Sequence, residues 1–317
     1  MGLSHMGRLA LMTAVVFVFA GCGGTGSTSA VPSGAMTQSR AHQMSGLLFA
    51  TKSSDPWLYV SGNANNTVAI YDLSKSGSPE VGTITDGVSS PGGVAVDKAG
   101  QVYVSNETGT VTIYPAGKTS PSLTLSDDLS QPESVTVDSN ENVYVCERGN
   151  SPAIVVFPPG ETTPSEVITN DLIQVPSQIQ FDPTGDLYYT DDNTGVSEIP
   201  EGSRNMTSLH LQGLQRTDGI ALDKRGNLYI GTFGNDLDGV REYVIDDQSP
   251  IRTLKDSKGA DFNASGVLGK TDYIFLPESY NNTVKAFKLG RTKPAFVVDA
   301  TAAQYSVGVA LKPAGVP

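Results

Sequence analysis

The sequence predicts an all-β fold, a six-bladed β-propeller of four-stranded antiparallel blades, and three observations predict it. A tyrosine recurs at Tyr59, Tyr103, Tyr144, Tyr188, Tyr229 and Tyr273, with gaps of 44, 41, 44, 41 and 44 residues. A period of about 40 to 45 residues belongs to an array of repeated blades. Each tyrosine sits in a short strand, as in Val102-Tyr103-Val104 and Leu228-Tyr229-Ile230. The two ends of the chain hold complementary halves of one repeat. Gly308-Val309-Ala310-Leu311-Lys312 reproduces Gly93-Val94-Ala95-Val96-Asp97-Lys98 with no tyrosine strand after it, and the strand at Tyr59 has no innermost strand before it. Joined, they complete one blade, close the ring and remove free sheet edges.

Within a unit the elements follow in order. Innermost strands are written Gly93-Val94-Ala95-Val96, Ser134-Val135-Thr136-Val137, Gln178-Ile179-Gln180-Phe181 and Gly219-Ile220-Ala221-Leu222, and Pro91, Pro132 and Pro176 open three of them, where a missing N–H does least harm. An aspartate six residues before the tyrosine ends each strand: Asp97, Asp138, Asp182 and Asp223. Three of these begin D-x-x-G turns closing at Gly100, Gly185 and Gly226, so the acids are turn-formers whose carboxylates accept local N–H bonds. After the tyrosine strand comes a hairpin, as in Val111-Thr112-Ile113-Tyr114 and Ile154-Val155-Val156-Phe157, and Pro121, Pro164, Pro250 or Pro294 then leads into the outermost strand.

The first residues read as an export signal. Arg8 supplies the positive region and Leu9 to Ala20 an apolar stretch too short for a membrane span. Val18-Phe19-Ala20-Gly21-Cys22 resembles a bacterial lipobox, which implies lipidation at Cys22 and, with Gly23 behind it, an outer-membrane anchor; plain secretion with cleavage near Ala20 is the alternative. Residues 1–21 are thus the signal, 22–46 a Gly/Ser/Thr-rich tether with too little apolar surface to fold, 47–313 the propeller and 314–317 a tail. Cys146, the other of the two cysteines, lies in an apolar strand and reads as a small buried residue. Arg8 is the only Lys, Arg, Asp or Glu in residues 1–21, so 20 basic residues face 33 acidic ones in the rest, a net charge of −13. That repels phosphate backbones and argues against nucleic acid as a partner; contact with the membrane is expected through the lipid anchor alone, and the propeller as a monomer.

The repeat P-x-G-V-A-V-D-x-x-G-x-V-Y-V, followed by a V-x-[IV]-[YF] hairpin, resembles the NHL-repeat propellers and their relatives in the regucalcin and gluconolactonase family over about residues 47 to 312. In that family the positions just before the innermost strands supply ligands for a divalent cation in the central channel. Here those positions are Gly92, Glu133, Ser177 and Asp218, with Val307 in the closing blade and Asp261-Phe262 in the sixth. Thr217-Asp218-Gly219-Ile220 matches the family's P-D-G segment, whereas Ser177 and Glu133 stand where asparagine is expected and Gly92 offers no side chain. The resemblance therefore implies a site for calcium or another divalent cation built from Glu133, Asp218, Asp261 and Ser177.

Glu107, Glu147, Asp191, Asp192, Asp236, Asp238 and Glu278 add acids in the loops of that face. His210 is the only histidine beyond the signal and tether and belongs to an outer strand, which disfavours a histidine base or a histidine-bound zinc. Two readings follow: an envelope-anchored propeller that binds a small-molecule or protein ligand at the loop face without catalysis, or a divalent-cation-dependent lactone or ester hydrolase. The first is the leading one.

Overall fold

In a computed structural model of the chain, residues 56–223, 225–233, 239–244, 247–254 and 272–312 are described. They form six antiparallel sheets, the blades of a propeller. Blade one is Trp57–Gly62, Thr67–Asp72 and Glu80–Ile84, with Ser306–Lys312 as its innermost strand. Blade two is Pro91–Val96, Val102–Asn106, Thr110–Tyr114 and Leu123–Leu125. Blade three is Pro132–Val137, Val143–Glu147, Ala153–Phe157 and Glu166–Ile168. Blade four is Pro176–Phe181, Leu187–Asp191, Gly195–Ile199 and Thr207–Ser208. Blade five is Arg216–Leu222, Leu228–Phe233, Gly239–Tyr243 and Arg252–Leu254. Blade six contributes Tyr273–Glu278, Thr283–Lys288 and Pro294–Asp299; its expected innermost strand, with Asp261, falls in 255–271, outside the described residues.

The ring closes as the two half-repeats require. Trp57, Leu58, Tyr59 and Val60 pair with Lys312, Leu311, Ala310 and Val309, and the Lys312 ammonium lies 5.6 Å from the centre of the Trp57 ring. Strand alternation gives every blade two apolar faces. Val102 and Val104 therefore pack with Tyr59 and Ile70 of blade one, while Tyr103 between them packs with Val135 and Val145 of blade three. The described apolar core is accordingly divided into six clusters, each shared by two adjacent blades.

Register corrects the sequence pattern at one place. Leu58, Val102 and Leu228 pair with Tyr71, Tyr114 and Tyr243, and the recurring tyrosine is the next residue; in blade six it is Ile274 that pairs with Phe287. Phe275, not Tyr273, thus holds the repeat position, fully buried against blade one, with Tyr273 two residues earlier on the same face and only half-buried. The 44-residue gap to Tyr273 is a coincidence of two aromatics on one side of a strand.

The turn aspartates do what their spacing predicts. Asp97 Oδ1 accepts from the N–H groups of Ala99 (2.8 Å) and Gln101 (2.9 Å), and Oδ2 from the Tyr103 hydroxyl (3.0 Å). Asp138, Asp182 and Asp223 accept in the same way from Asn140 and Asn142, from Thr184 and Asp186, and from Arg225 and Asn227. Blade three has no glycine in this turn, and Glu141 takes its left-handed conformation at φ 69°.

Near the axis the blades are joined by hydroxyls two residues past the tyrosine. Ser61 Oγ accepts from Gly308 N (2.7 Å) in its own blade and donates to Gly92 O (2.5 Å) in the next. Ser105 links Gly93 N (2.8 Å) to Glu133 O (3.0 Å), and Thr190 links Gln178 N (3.0 Å) to Asp218 O (2.6 Å). Blade three has Cys146 here, wholly buried, its thiol pushed up to about 12 by burial against a small opposing effect from the Ser134 hydroxyl. The strands run so close that a Cβ on Gly92 would lie 2.2 Å from Glu133 O. Removing a buried phenyl ring costs about 3–5 kcal/mol, so Phe275→Ala is expected to lower unfolding free energy by that amount in chemical denaturation, and Tyr273→Ala by less than half as much.

Candidate functional site

In blades two, three and four the last residue of the tyrosine strand and the residue after it build the loop face. The first, three past the tyrosine, turns inward and ties down the segment leading into its own blade's innermost strand. Asn106 accepts from Ser89 N (2.9 Å), Glu147 from Ser130 N (2.8 Å), Gln131 N (2.9 Å) and Gly149 N (2.7 Å), and Asp191 from Gln174 N and Val175 N (both 2.7 Å). All three side chains are buried. Glu278 is buried too, bonded to Thr283 and to the Lys285 ammonium at 2.6 Å. Glu147, Asp191 and Glu278, counted from sequence among the acids of this face, are therefore structural braces.

The second residue, four past the tyrosine, is pinned by its own N–H. Asn63, Glu107, Arg148 and Asp192 donate to the carbonyls of Tyr305 (3.2 Å), Ser90, Gln131 and Val175 (3.0 Å each). Their side chains face a central cavity of about 530 Å³. The innermost strands supply its other wall: Gly92, Glu133, Ser177, Asp218 and Val307, the positions expected from sequence, all line it. Asp261 lies outside the described residues. Among the lining residues that the sequence does not single out are Arg148, Arg216, Asn63 and Tyr305. Asn63 and Arg148 stand in the column four residues past each tyrosine, beside the acids Glu107 and Asp192.

Fixed charge pairs dominate the cavity. Arg148 Nη1 lies 3.3 Å from Glu133 Oε2, Arg216 Nε lies 2.8 Å from Asp192 Oδ1, and Glu107 Oε1 accepts from Asn63 Nδ2 at 2.8 Å. No hydrogen bond to the Asp218 carboxylate occurs among the described residues. Burial first, and the Glu133 charge second, push its carboxyl up to about 6 against the pull of Arg148. Burial also raises Glu133 and Glu107, again opposed by Arg148.

A divalent cation such as calcium needs six to eight oxygens converging on it. Among the described residues no three His, Cys, Asp or Glu side chains converge closely enough to hold a metal, and Glu133 directs an oxygen at a guanidinium. Glu133, Asp218 and Ser177 do not by themselves fit the cation that the motif implies. A larger cleft, about 780 Å³, opens among the aspartate turns of blades two to four, but its Asp97, Asp138 and Asp182 are engaged by their own turn N–H groups. His210 is exposed, just past the outer strand of blade four.

Comparison with known proteins shows the fold and nothing finer. No protein-family model matches the chain, and no curated protein matches it. Among solved structures, the chain is similar to one from the crystal structure of a nidogen/laminin complex, with TM-score 0.68 and 16% identity over 82% of this chain and 99% of that one. It is also similar to a protein of unknown function from Bacteroides caccae, with TM-score 0.61 and 14% identity over 81% of this chain and 99% of that one. At such identity the likeness establishes a six-bladed propeller.

Asp218 gives the site a pH signature. Its folded pKa lies above its unfolded one, so the native state holds the proton more tightly; the stability this brings is full below about pH 4 and is lost as pH rises through about 6. Asp218→Asn is expected to exceed the wild type in unfolding free energy at pH 7–8, by at most about 3 kcal/mol, with the difference vanishing near pH 4. Equilibrium denaturation across that range checks it; a difference independent of pH would assign the carboxyl an ordinary titration.

Proposed function

We propose that this protein is an exported, Cys22-anchored propeller that binds a polar ligand or a partner protein at its loop face without turning it over. The observation that supports this best is the pairing of a charge-lined cavity with an aromatic rim. Tyr305 lines the cavity and meets Tyr280 edge-to-face at 5.9 Å between ring centres, and Tyr280 is 73% exposed. Tyrosine offers large contact area at small entropy cost and is enriched at binding hot spots. Tyr305 is also held at φ 56°, a conformation that ordinary side chains avoid and that clusters at functional positions. One solved chain of this fold comes from a complex of two proteins, nidogen and laminin, which makes a protein partner a reasonable first class to test.

The charge pairs support binding rather than chemistry. Among the described residues, Ser177, Thr217 and Tyr305 are the hydroxyls of the cavity, and none has a histidine beside it to act as its base. One observation keeps the hydrolase reading alive: a carboxyl near 6, that of Asp218, suits a general base acting on water. The two readings separate in one set of assays on the full chain. Binding requires a ligand that raises the thermal midpoint of the wild type, with the shift lost in Tyr280→Ala and Tyr305→Ala while both stay folded. Hydrolysis of lactones or aryl esters, lost in Asp218→Asn, would overturn the non-catalytic reading. Membrane association of the wild type and its loss in Cys22→Ala test the anchor.

A further inference from the structure

Among the described residues four carboxylates line the cavity, those of Glu107, Glu133, Asp192 and Asp218, against two guanidiniums, Arg148 and Arg216. Arg216 is engaged two-pronged by Asp192, its Nε 2.8 Å and 3.0 Å from the two oxygens. Among the described residues, Arg148 is then the one cavity guanidinium not engaged by Asp192, and the other three carboxylates come from three blades. The placement of Arg148 is built in from the backbone outward. Arg148 N donates to Gln131 O, and the flanking Gly149 N is held at 2.7 Å by Glu147, which also grips Ser130 and Gln131. The loop is thereby fixed on both sides of Arg148, and its guanidinium meets Glu133 at 3.3 Å with about a third of the side chain still exposed to the cavity.

We infer that the Arg148 guanidinium is the cavity's own cation, standing among Glu107, Glu133 and Asp218 where the motif resemblance implies a divalent ion, so that the wild-type site takes no metal. Guanidinium stays protonated at every pH at which the protein folds. A divalent ion arriving beside Glu133 would meet a fixed positive charge a few ångströms away, in a partly buried site where such repulsion is poorly screened. The opposition of Arg148 to the upward shifts of all three carboxyls agrees with its central position. Its guanidinium lines the cavity and has no other protein hydrogen-bond partner among the described residues. The inference concerns the unliganded protein and does not rest on the binding reading.

Terbium, an oxygen-seeking stand-in for calcium whose emission is sensitised by a nearby tyrosine, provides the test, with Tyr305 in the same cavity as the antenna. The wild type is expected to show no saturable sensitised emission. Arg148→Ala should gain a saturable signal that calcium competes away; Arg148→Lys should stay silent, and Asp218→Asn added to Arg148→Ala should lose the gain. Where Arg148→Ala does not fold, Arg148→Met, which keeps the aliphatic stem without the charge, is read in its place. Saturable binding by the wild type, or no gain in the folded charge-removed variant, overturns the inference. Neither result touches the ligand and hydrolysis assays, so failure here is distinguishable from failure of the binding reading.

Discussion

Neighbouring innermost strands meet near the axis through hydroxyls that belong to neither: Ser61, Ser105 and Thr190 each take an N–H from their own blade and give a hydrogen bond to a carbonyl of the next. Carbonyls and amides buried there have no water to satisfy them, and an orphaned one costs about 1–3 kcal/mol. The same contacts set the spacing of the strands, so Gly92, Gly93 and Gly308 have no room for a Cβ. Blade three departs from the scheme. Cys146 fills the position with a weak donor, wholly buried beside the Ser134 hydroxyl.

The loop face inherits this rigidity. Because Asn106, Glu147 and Asp191 are committed to backbone N–H groups, the residues immediately after them project at fixed places around the cavity. The backbone N–H of the projecting residue is held to a carbonyl whatever side chain it carries. That freedom explains how Asn63, Glu107, Arg148 and Asp192 occupy one repeating position in four blades.

Much of this was legible in the sequence because a propeller writes its register into its repeat. The tyrosine period, the D-x-x-G turns and the split closing blade are local signals with local causes, and they located Gly92, Glu133, Ser177, Asp218 and Val307 on the cavity wall. Two kinds of feature were not legible. Tyr273 and Phe275 differ by one full strand period, and only the pairing of Ile274 with Phe287 decides between them. The role of an acid depends on whether it points at a backbone or at the cavity, and Glu147 and Arg148, adjacent in sequence, point opposite ways. The acids in the sequence point to a cation site, and only the folded chain brings the Arg148 guanidinium to 3.3 Å from Glu133.

The most direct measurement is a crystal structure of the wild-type protein grown in millimolar manganese, with an anomalous difference map over the cavity. The expected result is Arg148 against Glu133, at the 3.3 Å contact described above, and no anomalous peak near Glu133 or Asp218. A peak coordinated by those two carboxylates, with Arg148 displaced, would contradict the internal-cation site.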